Sequence, residues 1–589
     1  MVFSLDAAAS EQPRAVRDPA TAYGARLNAK CEPANLNWSR INNRINSRLE
    51  TRLSLRIERY QPDSVANSVA AFGMQPTDNV RVGTQTTLSP LVVVGIASKC
   101  NFIGAAFTRA DRRHHAATLT RSSIAPFNAL RGRMATSRLR GARFSPDISF
   151  ALLATLFVIL WLAGGASRED VTGQIVSRAA AWFAIVVAVL FARRPRIEEA
   201  KEATIAIVAA ILLCIVQLVP LPPDVWRALP GRAAFSNQIV SPPDLWRPMS
   251  LAPGATVNAL FSLAVPLAVL LLATGVPKEQ KRWIPVVVLA VISLALLVGL
   301  LQFTGAQVIN PFVNGGYREV DGLFANRNHF ALFLAIGLLI APVWGVEGGK
   351  LSRARAPIAL GLVLLLVLTI LASGSRGGIA LGAIALVLGL TIARQGVKSA
   401  LRRYPRWTLP AVGIGIVALI ALFVLASVSA DRAVSIDRLA ELNTGEDMRR
   451  RGLPAILAII RTYFPIGTGL GSFDPIFRMH EPLSLLKPTY FNHAHNDFLE
   501  IVLTAGLPGL ILMVVAIGWW AWRSIDVWRN DKVPPKLGSA MLLLILLGSV
   551  VDYPARTPVI MAIAAMAAIW LGKYDATAKA PLPTTERRL

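Results

Sequence analysis

Apolar residues along this chain are gathered into blocks that hold few ionisable groups and are separated by polar segments. The hydrocarbon core of a bilayer is about 30 Å thick, and a helix of roughly 20 apolar residues crosses it. The pattern therefore predicts an all-α integral membrane protein with about twelve transmembrane helices. The predicted blocks are 148–165, 175–192, 203–220, 257–275, 283–303, 329–344, 357–372, 379–393, 409–428, 498–522, 537–551 and 558–571.

Composition agrees with a membrane protein. Hydrophobic residues make up 54% of the chain and charged residues 16%, with 61 basic against 35 acidic side chains and a net charge of +26. In a membrane protein such an excess reports the orientation of loops, so it does not indicate nucleic-acid binding. Cys31, Cys100 and Cys214 are far apart, which indicates neither a disulfide framework nor a metal site built from cysteine.

Basic residues alternate between the two sides of the predicted bundle. They are concentrated in every second connection, which places both termini in the cytoplasm by the positive-inside rule. The opposite, outer connections are 221–256, 304–328, 373–378, 429–497 and 552–557. The long outer (periplasmic) loop 429–497, between predicted helices nine and ten, is unusual because it keeps many arginines. We interpret those arginines as a site for an anionic ligand.

Residues 1–143 differ from the rest of the chain. They carry 21 Lys or Arg against 9 Asp or Glu and have no apolar block of spanning length, so we predict a poorly ordered cytoplasmic leader. An alternative is a helix on anionic lipid, because arginines recur every fourth residue from Arg40 to Arg56. The membrane domain is then 144–572, followed by a cytoplasmic tail at 573–589.

Two histidines and an acid lie two positions apart just before the predicted helix 498–522, at His493, His495 and Asp497. In an extended loop the three side chains would face one side, as a metal site requires. No further histidine or carboxylate cluster is close in sequence, so we favour a neutral histidine acting as general base on a hydroxyl. Asn496 or Asp497 also suits the N-cap of the following helix. Capping alone does not account for two histidines.

Two basic motifs accompany the histidines on the predicted outer side. The turn 373–378 presents Arg376 beside several glycines, an arrangement that suits phosphate oxygens, although an ordinary hairpin between helices is the alternative. The segment 447–451 supplies three consecutive arginines, for which a solvated loop face is the usual explanation. Each motif is weak alone, and they indicate a phosphate site only together.

Three other stretches have plainer interpretations. The glycine-rich stretch 465–473 has neither a preceding strand nor a GK[ST] sequence, so we interpret it as a flexible turn rather than a nucleotide loop. Asp552 and Arg556, in the short connection 552–557, are expected to pair with each other. Residues 322–329 place amides and a histidine at a helix start, where anions are favoured.

These residues resemble the O-antigen ligase and polymerase family of multi-helix bacterial enzymes, which includes exopolysaccharide polymerases and protein O-oligosaccharyltransferases. The resemblance covers most of 146–572 and rests on the order of several separated pieces. These are 219–226 (VPLPPDVW), 246–251 (WRPMSL), 324–329 (FANRNH), 373–377 (SGSRG), 447–450 (DMRR), 465–469 (PIGTG) and 493–496 (HAHN). The chain departs from the family at Leu453 and Pro454, where family members tend to carry Trp.

The resemblance implies a glycosyltransferase in the bacterial inner membrane. Its donor would be a polyprenyl-diphosphate-linked glycan, its acceptor a hydroxyl of a glycan or lipid-core sugar, and it would need neither metal nor cofactor. The resemblance assigns diphosphate binding to Arg376 and to Arg449 or Arg450, and activation of the acceptor hydroxyl to His495, with His493 beside it as the second candidate catalytic residue. The supporting candidates are Asn496, Asn326, Asn328, Asp552 and Arg556.

Several functions remain open at this point. Ligation of a polymer to lipid, extension of a polymer and glycosylation of protein all share this chemistry. A polysaccharide transporter would place ionisable residues near the middle of the membrane, whereas the predicted blocks are nearly free of charge at their centres. A non-catalytic assembly factor would not depend on the outer arginines and histidines.

Overall fold

A computed structural model gives the architecture of the membrane domain. The residues it describes are 145–168, 170–236, 245–313, 320–347, 352–402, 448–485, 491–529 and 532–572, with scattered positions between 405 and 422. The predicted leader and tail lie outside these residues, and so do Asp447 and most of the predicted helix 409–428.

The described residues are almost entirely helical. The helices are α1 (Ile148–Ala163), α2 (Thr172–Phe191), α3 (Lys201–Leu218), α4 (Pro223–Ala228), α5 (Ala233–Ser236), α6 (Pro253–Ser262), α7 (Ala264–Gly275), α8 (Lys278–Lys281), α9 (Ile284–Phe303), α10 (Arg327–Val346), α11 (Ser352–Ala372), α12 (Arg376–Leu401), α13 (Met448–Tyr463), α14 (Phe473–His480), α15 (Asp497–Trp528), α16 (Val533–Val551) and α17 (Pro558–Gly572). Single 3₁₀ turns lie at Ile197–Ala200, Leu483–Leu485 and Pro554–Arg556. Two short strands, β1 (Pro220–Leu221) and β2 (Arg247–Pro248), pair antiparallel.

The prediction of an all-α integral membrane protein is confirmed. Nine helical segments among the described residues are long and apolar enough to cross a membrane, and α1 and α17 are shorter apolar helices. These nine plus two segments correspond to eleven of the twelve predicted blocks. The ninth block, 409–428, falls mostly outside the described residues, so the count of twelve stays a prediction.

Helix α10 is the buried centre of the bundle. It packs against α9, α11, α12 and α16, and every side chain from His329 to Val343 is buried. A helix that is apolar on all sides needs this position. In contrast, α2 exposes Ile175, Phe183 and Val189, so its outward face is the apolar surface that lipid contact requires.

Two predicted helices are interrupted. The block 257–275 divides into α6 and α7 at Leu263. Helix α15 runs without a change of assignment to Trp528, yet Gly506 inside it has the non-helical angles φ 60° and ψ −145°. A Cβ atom at Gly506 would lie 2.1 Å from the carbonyl oxygen of Pro465, so only glycine fits this break.

The glycine-rich stretch 465–471 is docked into that break and is not the free turn that the sequence predicted. The amide of Leu507 donates to Pro465 O at 2.7 Å, and the amides of Thr468 and Gly469 donate to Leu503 O and Thr504 O at 3.1 and 2.8 Å. The break in α15 leaves backbone groups without helical partners, and the stretch supplies them. Its glycines therefore allow the two backbones to approach closely. They do not make the stretch a flexible turn.

The described part of the long loop forms a small core of its own. Apolar side chains of α13 and α14 pack with Phe491 and Leu503. Arg232, which is fully buried, ties this core to the connection between α3 and α6 because its guanidinium donates to Gly467 O at 3.0 Å and Met249 O at 2.7 Å. The segment that carries His493 and His495, just before α15, is therefore packed against this small core.

Candidate active site

Three helix N-termini meet at the C-terminal end of α16. Each begins with a side-chain cap that accepts a hydrogen bond from an amide of the first turn: Asn326 for α10, Ser375 for α12 and Asn496 for α15. Ser375 Oγ donates to Asn328 Oδ1 at 2.7 Å, which joins α12 to α10. Asn496 Nδ2 donates to Val550 O at 2.8 Å, which joins α15 to α16. Helix N-termini carry partial positive charge, so their convergence favours an anion nearby.

Asp552 lies at the centre of this junction and is 2% exposed. Both of its carboxylate oxygens accept several hydrogen bonds. The donors to Oδ2 are Asn326 Nδ2 at 3.0 Å, Asn328 Nδ2 at 2.7 Å and Arg449 Nη2 at 3.4 Å, and those to Oδ1 are His495 Nδ1 at 3.2 Å and the Tyr553 amide at 3.1 Å. Asp552 therefore positions residues from three other stretches of the chain, at 326–328, 449 and 495.

His495 is held in a defined orientation by this carboxylate. Its backbone has φ 53°, a left-handed conformation that is uncommon for a residue other than glycine and that turns the ring towards Asp552. A carboxylate only accepts hydrogen bonds, so the proton of the neutral ring belongs on Nδ1. Nε2 is then the ring atom that can take a proton from a hydroxyl.

His493 forms a second histidine–carboxylate pair. Its Nδ1 lies 3.0 Å from Glu500 Oε1, and its Nε2 lies 3.0 Å from Ser167 Oγ. Glu500 Oε2 also accepts from the Ala494 amide at 2.8 Å. The two histidines therefore contact different carboxylates: His493 contacts Glu500, and His495 contacts Asp552.

The expected pair of Asp552 with Arg556 is wrong. Arg556 Nε lies 3.2 Å from Asp497 Oδ1 and 3.1 Å from Glu500 Oε1. Asp497 and Glu500 are three residues apart on α15 and so face the same side of the helix. One guanidinium compensates both buried acids, which leaves Asp552 to the histidines, the asparagines and Arg449.

Tyr553 packs among three histidines, although no motif in the sequence indicated it as a site residue. Its ring centroid lies 4.9 Å from that of His329, 4.3 Å from that of His493 and 4.9 Å from that of His495. Burial and the charge of Asp552 raise the pKa of Tyr553 to about 12, so its hydroxyl stays neutral. Its position directly after Asp552 was the only local signal for this role.

His329, Glu500 and Ser167 were also missed as site residues. His329 Nδ1 and Thr557 Oγ1 are 3.0 Å apart, and His329 Nε2 lies 3.7 Å from Asp552. The spacing of Asp497 and Glu500 on one helix face was a usable signal for Glu500. Ser167 carries no local signal, because it meets His493 from the distant connection between α1 and α2.

The three consecutive arginines have different positions. Arg449 donates to Val551 O at 2.9 Å and reaches Asp552, with 36% of its side chain exposed. Arg451 turns away and donates to Ser484 O at 2.9 Å. Arg450 is exposed on the helix surface. Of the two arginines that the resemblance left open, the structure thus brings Arg449 to the junction.

Arg376 is the first residue of α12 and its side chain is exposed. The residue before it, Ser375, contacts Asn328, which in turn donates to Asp552. Gly374, with φ 66°, makes the turn that precedes the cap. Arg376 therefore projects from the same junction as His495 and Arg449.

A metal site at His493, His495 and Asp497 has no support from the geometry of the part of the chain that the structure describes. No group of three or more His, Cys, Asp or Glu residues there is placed to hold a metal ion. Asp497 is the first residue of α15 rather than part of an extended loop, and it contacts Ser549 and Arg556. The extended loop on which the three side chains would face one side therefore does not continue to Asp497.

The pKa of Asp552 is well below its usual range. Burial raises this pKa, but hydrogen bonds from His329 and His495 and the nearby charge of Arg449 lower it by more. Asp552 is therefore an anion at every pH at which the protein would operate. It can orient His495 without exchanging a proton with it.

A cavity of about 440 Å³ opens on the His493 side of the site. His493, Asp497 and Arg556 form part of its wall, together with residues of α2, α6 and α14. His495, Arg449 and Arg376 are not among the residues that line it. The site therefore has two faces, and the two histidines divide between them.

Comparison with protein families identifies residues 361–514 as a match to the family described as O-antigen ligase. The resemblance predicted from the sequence is confirmed over these residues. The match contains Arg376, Arg449, His493 and His495, whereas Asp552 lies beyond its end. The comparison with curated proteins produced no match.

Proposed function

We propose, from the match of residues 361–514 to the O-antigen ligase family, that this membrane protein transfers a polyprenyl-diphosphate-linked glycan to a hydroxyl of an acceptor sugar. The observation that carries the proposal is the junction around Asp552, where His495, Arg449 and the start of α12 meet. It brings a candidate base and two candidate phosphate ligands together at the end of membrane-spanning helices. A donor with a lipid tail and a diphosphate needs this placement.

Each part of the reaction has a residue suited to it. The acceptor hydroxyl gives its proton to His495 Nε2, while its oxygen attacks the anomeric carbon of the donor sugar. The bond from that carbon to the diphosphate oxygen breaks, and its electron pair leaves with the polyprenyl diphosphate. Arg376, Arg449 and the three helix N-termini stabilise the negative charge that develops there.

Asp552 does not prevent anion binding at this junction. Its charge is compensated by Asn326, Asn328, Arg449 and His495, which all donate to it. Arg449 keeps 36% of its side chain exposed, so an anion can approach it from solvent. The carboxylate therefore positions the donors that the diphosphate meets.

We place this site on the outer face of the bacterial inner membrane, with both termini in the cytoplasm. The basic connections on the opposite side support that orientation. In a variant without Cys31, Cys100 and Cys214, Leu483→Cys should react with a membrane-impermeant maleimide in intact cells, because Leu483 is 78% exposed in the long loop that precedes α15. Ser399→Cys, at the other end of α12, should react only after the membrane is opened. The reverse labelling pattern would place the site in the cytoplasm and contradict the proposal.

Replacement of Arg376 tests the proposed function directly. Arg376→Lys keeps the positive charge but loses the planar pair of donors that fits phosphate, so we expect weaker donor binding and at least tenfold slower transfer. The measurement is binding and turnover of the lipid-linked glycan extracted from host membranes, with purified protein in detergent. Arg461→Lys is the matched control, because Arg461 is an exposed arginine of the long outer loop, on the same predicted side of the membrane. Equal donor binding by both variants and the native protein would remove Arg376 from the donor site.

A further inference from the structure

The wall of the 440 Å³ cavity contains several charged side chains. Four arginines, at positions 168, 178, 478 and 556, line it, and the first three each lie beside an acid or amide of the same segment. Arg478 contacts both oxygens of Asp474 at 2.7 Å, Arg168 donates to Asp170 at 2.9 Å, and Arg178 contacts Gln174 at 3.1 Å as well as Asn258. The cavity wall therefore combines fixed donors and acceptors with a mostly apolar accessible surface, and its charges largely compensate one another.

This chemistry selects among possible ligands. A free phosphate or diphosphate needs uncompensated positive charge. Here the arginines 168, 178, 478 and 556 are offset by the acids 170, 474 and 497 of the wall and by Glu500, which Arg556 contacts. A lipid tail would match the apolar part of the wall but would leave its charged and amide groups without polar partners, whereas a sugar ring has both hydroxyl groups and apolar C–H faces. A neutral molecule with many hydroxyl groups fits planar amide, carboxylate and guanidinium groups, since each hydroxyl both donates and accepts. The volume lies within the roughly 300–1,000 Å³ of small-molecule sites.

His493 connects this cavity to the proposed site of transfer. Its Nε2 faces a hydroxyl, Ser167 Oγ at 3.0 Å, while Glu500 holds its Nδ1. Ser167 itself lines the cavity, so it shows that a hydroxyl presented from the cavity can reach His493. The rings of His493 and His495 both pack on Tyr553, which places the second histidine close by on the other face.

We propose that the cavity binds the terminal sugar of the acceptor glycan, with one of its hydroxyls hydrogen-bonded to His493 and another presented to His495. This assignment rests on the proposed function and adds to it the place and chemistry of the acceptor. The donor diphosphate binds at the Asp552 junction, and the acceptor sugar binds in the cavity beyond His493. His493 is then a binding residue for the acceptor, positioned by Glu500.

Filling the cavity tests this assignment. Ala259 lines it from α6, whereas Val257 on the same helix is exposed and does not, so Ala259→Phe and Val257→Phe form a matched pair. The probes are two soluble oligosaccharides labelled at the reducing end: one released from the host's lipid-linked glycan by mild acid, the other the core oligosaccharide of the host's lipopolysaccharide. Binding to the full-length protein in detergent is followed by fluorescence anisotropy.

We expect the native protein and Val257→Phe to bind one of the two probes equally well. Ala259→Phe should bind that probe at least tenfold more weakly, yet bind the lipid-linked donor within twofold of the native protein. Ser262→Leu, which fills the cavity from the next turn of α6, gives the same test if Ala259→Phe does not fold. Unchanged probe binding by the filled variants, weakened donor binding instead, or no binding of either probe by the native protein would overturn the assignment.

Two further results separate this assignment from the proposed function. If the native protein binds a probe in the cavity but transfers no glycan, the cavity assignment stands and the function fails. If Ala259→Phe transfers glycan with a native acceptor KM, the function stands and the cavity assignment fails.

Discussion

We expect His495→Ala to reduce glycan transfer by roughly 10²–10⁴-fold, the usual contribution of a general base. The variant loses the proposed base, Nε2 of the ring that Asp552 holds through Nδ1. It should bind the lipid-linked donor nearly as well as the native protein, because Arg376 and Arg449 remain. The measurement is transfer rate and donor binding in purified full-length protein.

His480→Ala is the matched control for this replacement. His480 is a histidine of the same loop region, but its Nε2 lies 2.9 Å from the Tyr463 hydroxyl. Its loss should change transfer by no more than a few-fold. A His495→Ala protein with near-native transfer, or one that loses donor binding in proportion to its activity, would refute the base assignment.

Asp552→Asn should slow transfer to a similar extent, roughly 10²–10⁴-fold, and also destabilise the protein. An asparagine amide presents an N–H₂ group at one of the two oxygen positions. Oδ2 receives Asn326, Asn328 and Arg449, and Oδ1 receives His495 and the Tyr553 amide, so either orientation places donors against donors. A buried donor left without a partner costs about 1–3 kcal/mol, and His495 loses the acceptor that sets its tautomer.

Thermal unfolding in detergent and transfer rate measure the two consequences of Asp552→Asn. The control is Asp224→Asn, whose side chain is 97% exposed and whose loss should change neither. Native stability and activity in Asp552→Asn would show that the carboxylate does not organise the site.

The pH dependence of this stability difference has a defined sign. The pKa of Asp552 in the folded protein is well below its usual value, so its contribution is fully present above the unfolded pKa of about 3.9. It is lost as pH falls through the lower, folded pKa. The difference in melting temperature between the native protein and Asp552→Asn should therefore be constant from pH 5 to pH 8 and narrow below about pH 4.

Much of the site was predictable because its signals are local. Asn496 caps α15 and Asn326 caps α10, and both follow from a polar residue that precedes an apolar helix. Arg376 begins α12, although the sequence placed it in the turn between two helices. The predicted pair of Asp552 with Arg556 failed because sequence proximity does not determine which buried acid a guanidinium reaches. Arg556 turns to Asp497 and Glu500, which lie more than 50 residues away.

The sequence by itself determined that this is a helical membrane protein with histidines and arginines gathered at helix ends. Length and apolarity of a helix, and the residues that cap it, are properties of consecutive residues. Only the tertiary structure decided that Asp552 is the centre of the site, that Arg449 rather than Arg451 reaches it, and that a cavity lies behind His493. Asn326 and Asp552 are 226 residues apart, and their contact depends on how α10 and α16 pack. Helix packing is set by side-chain shape over whole surfaces, which no single stretch of sequence contains.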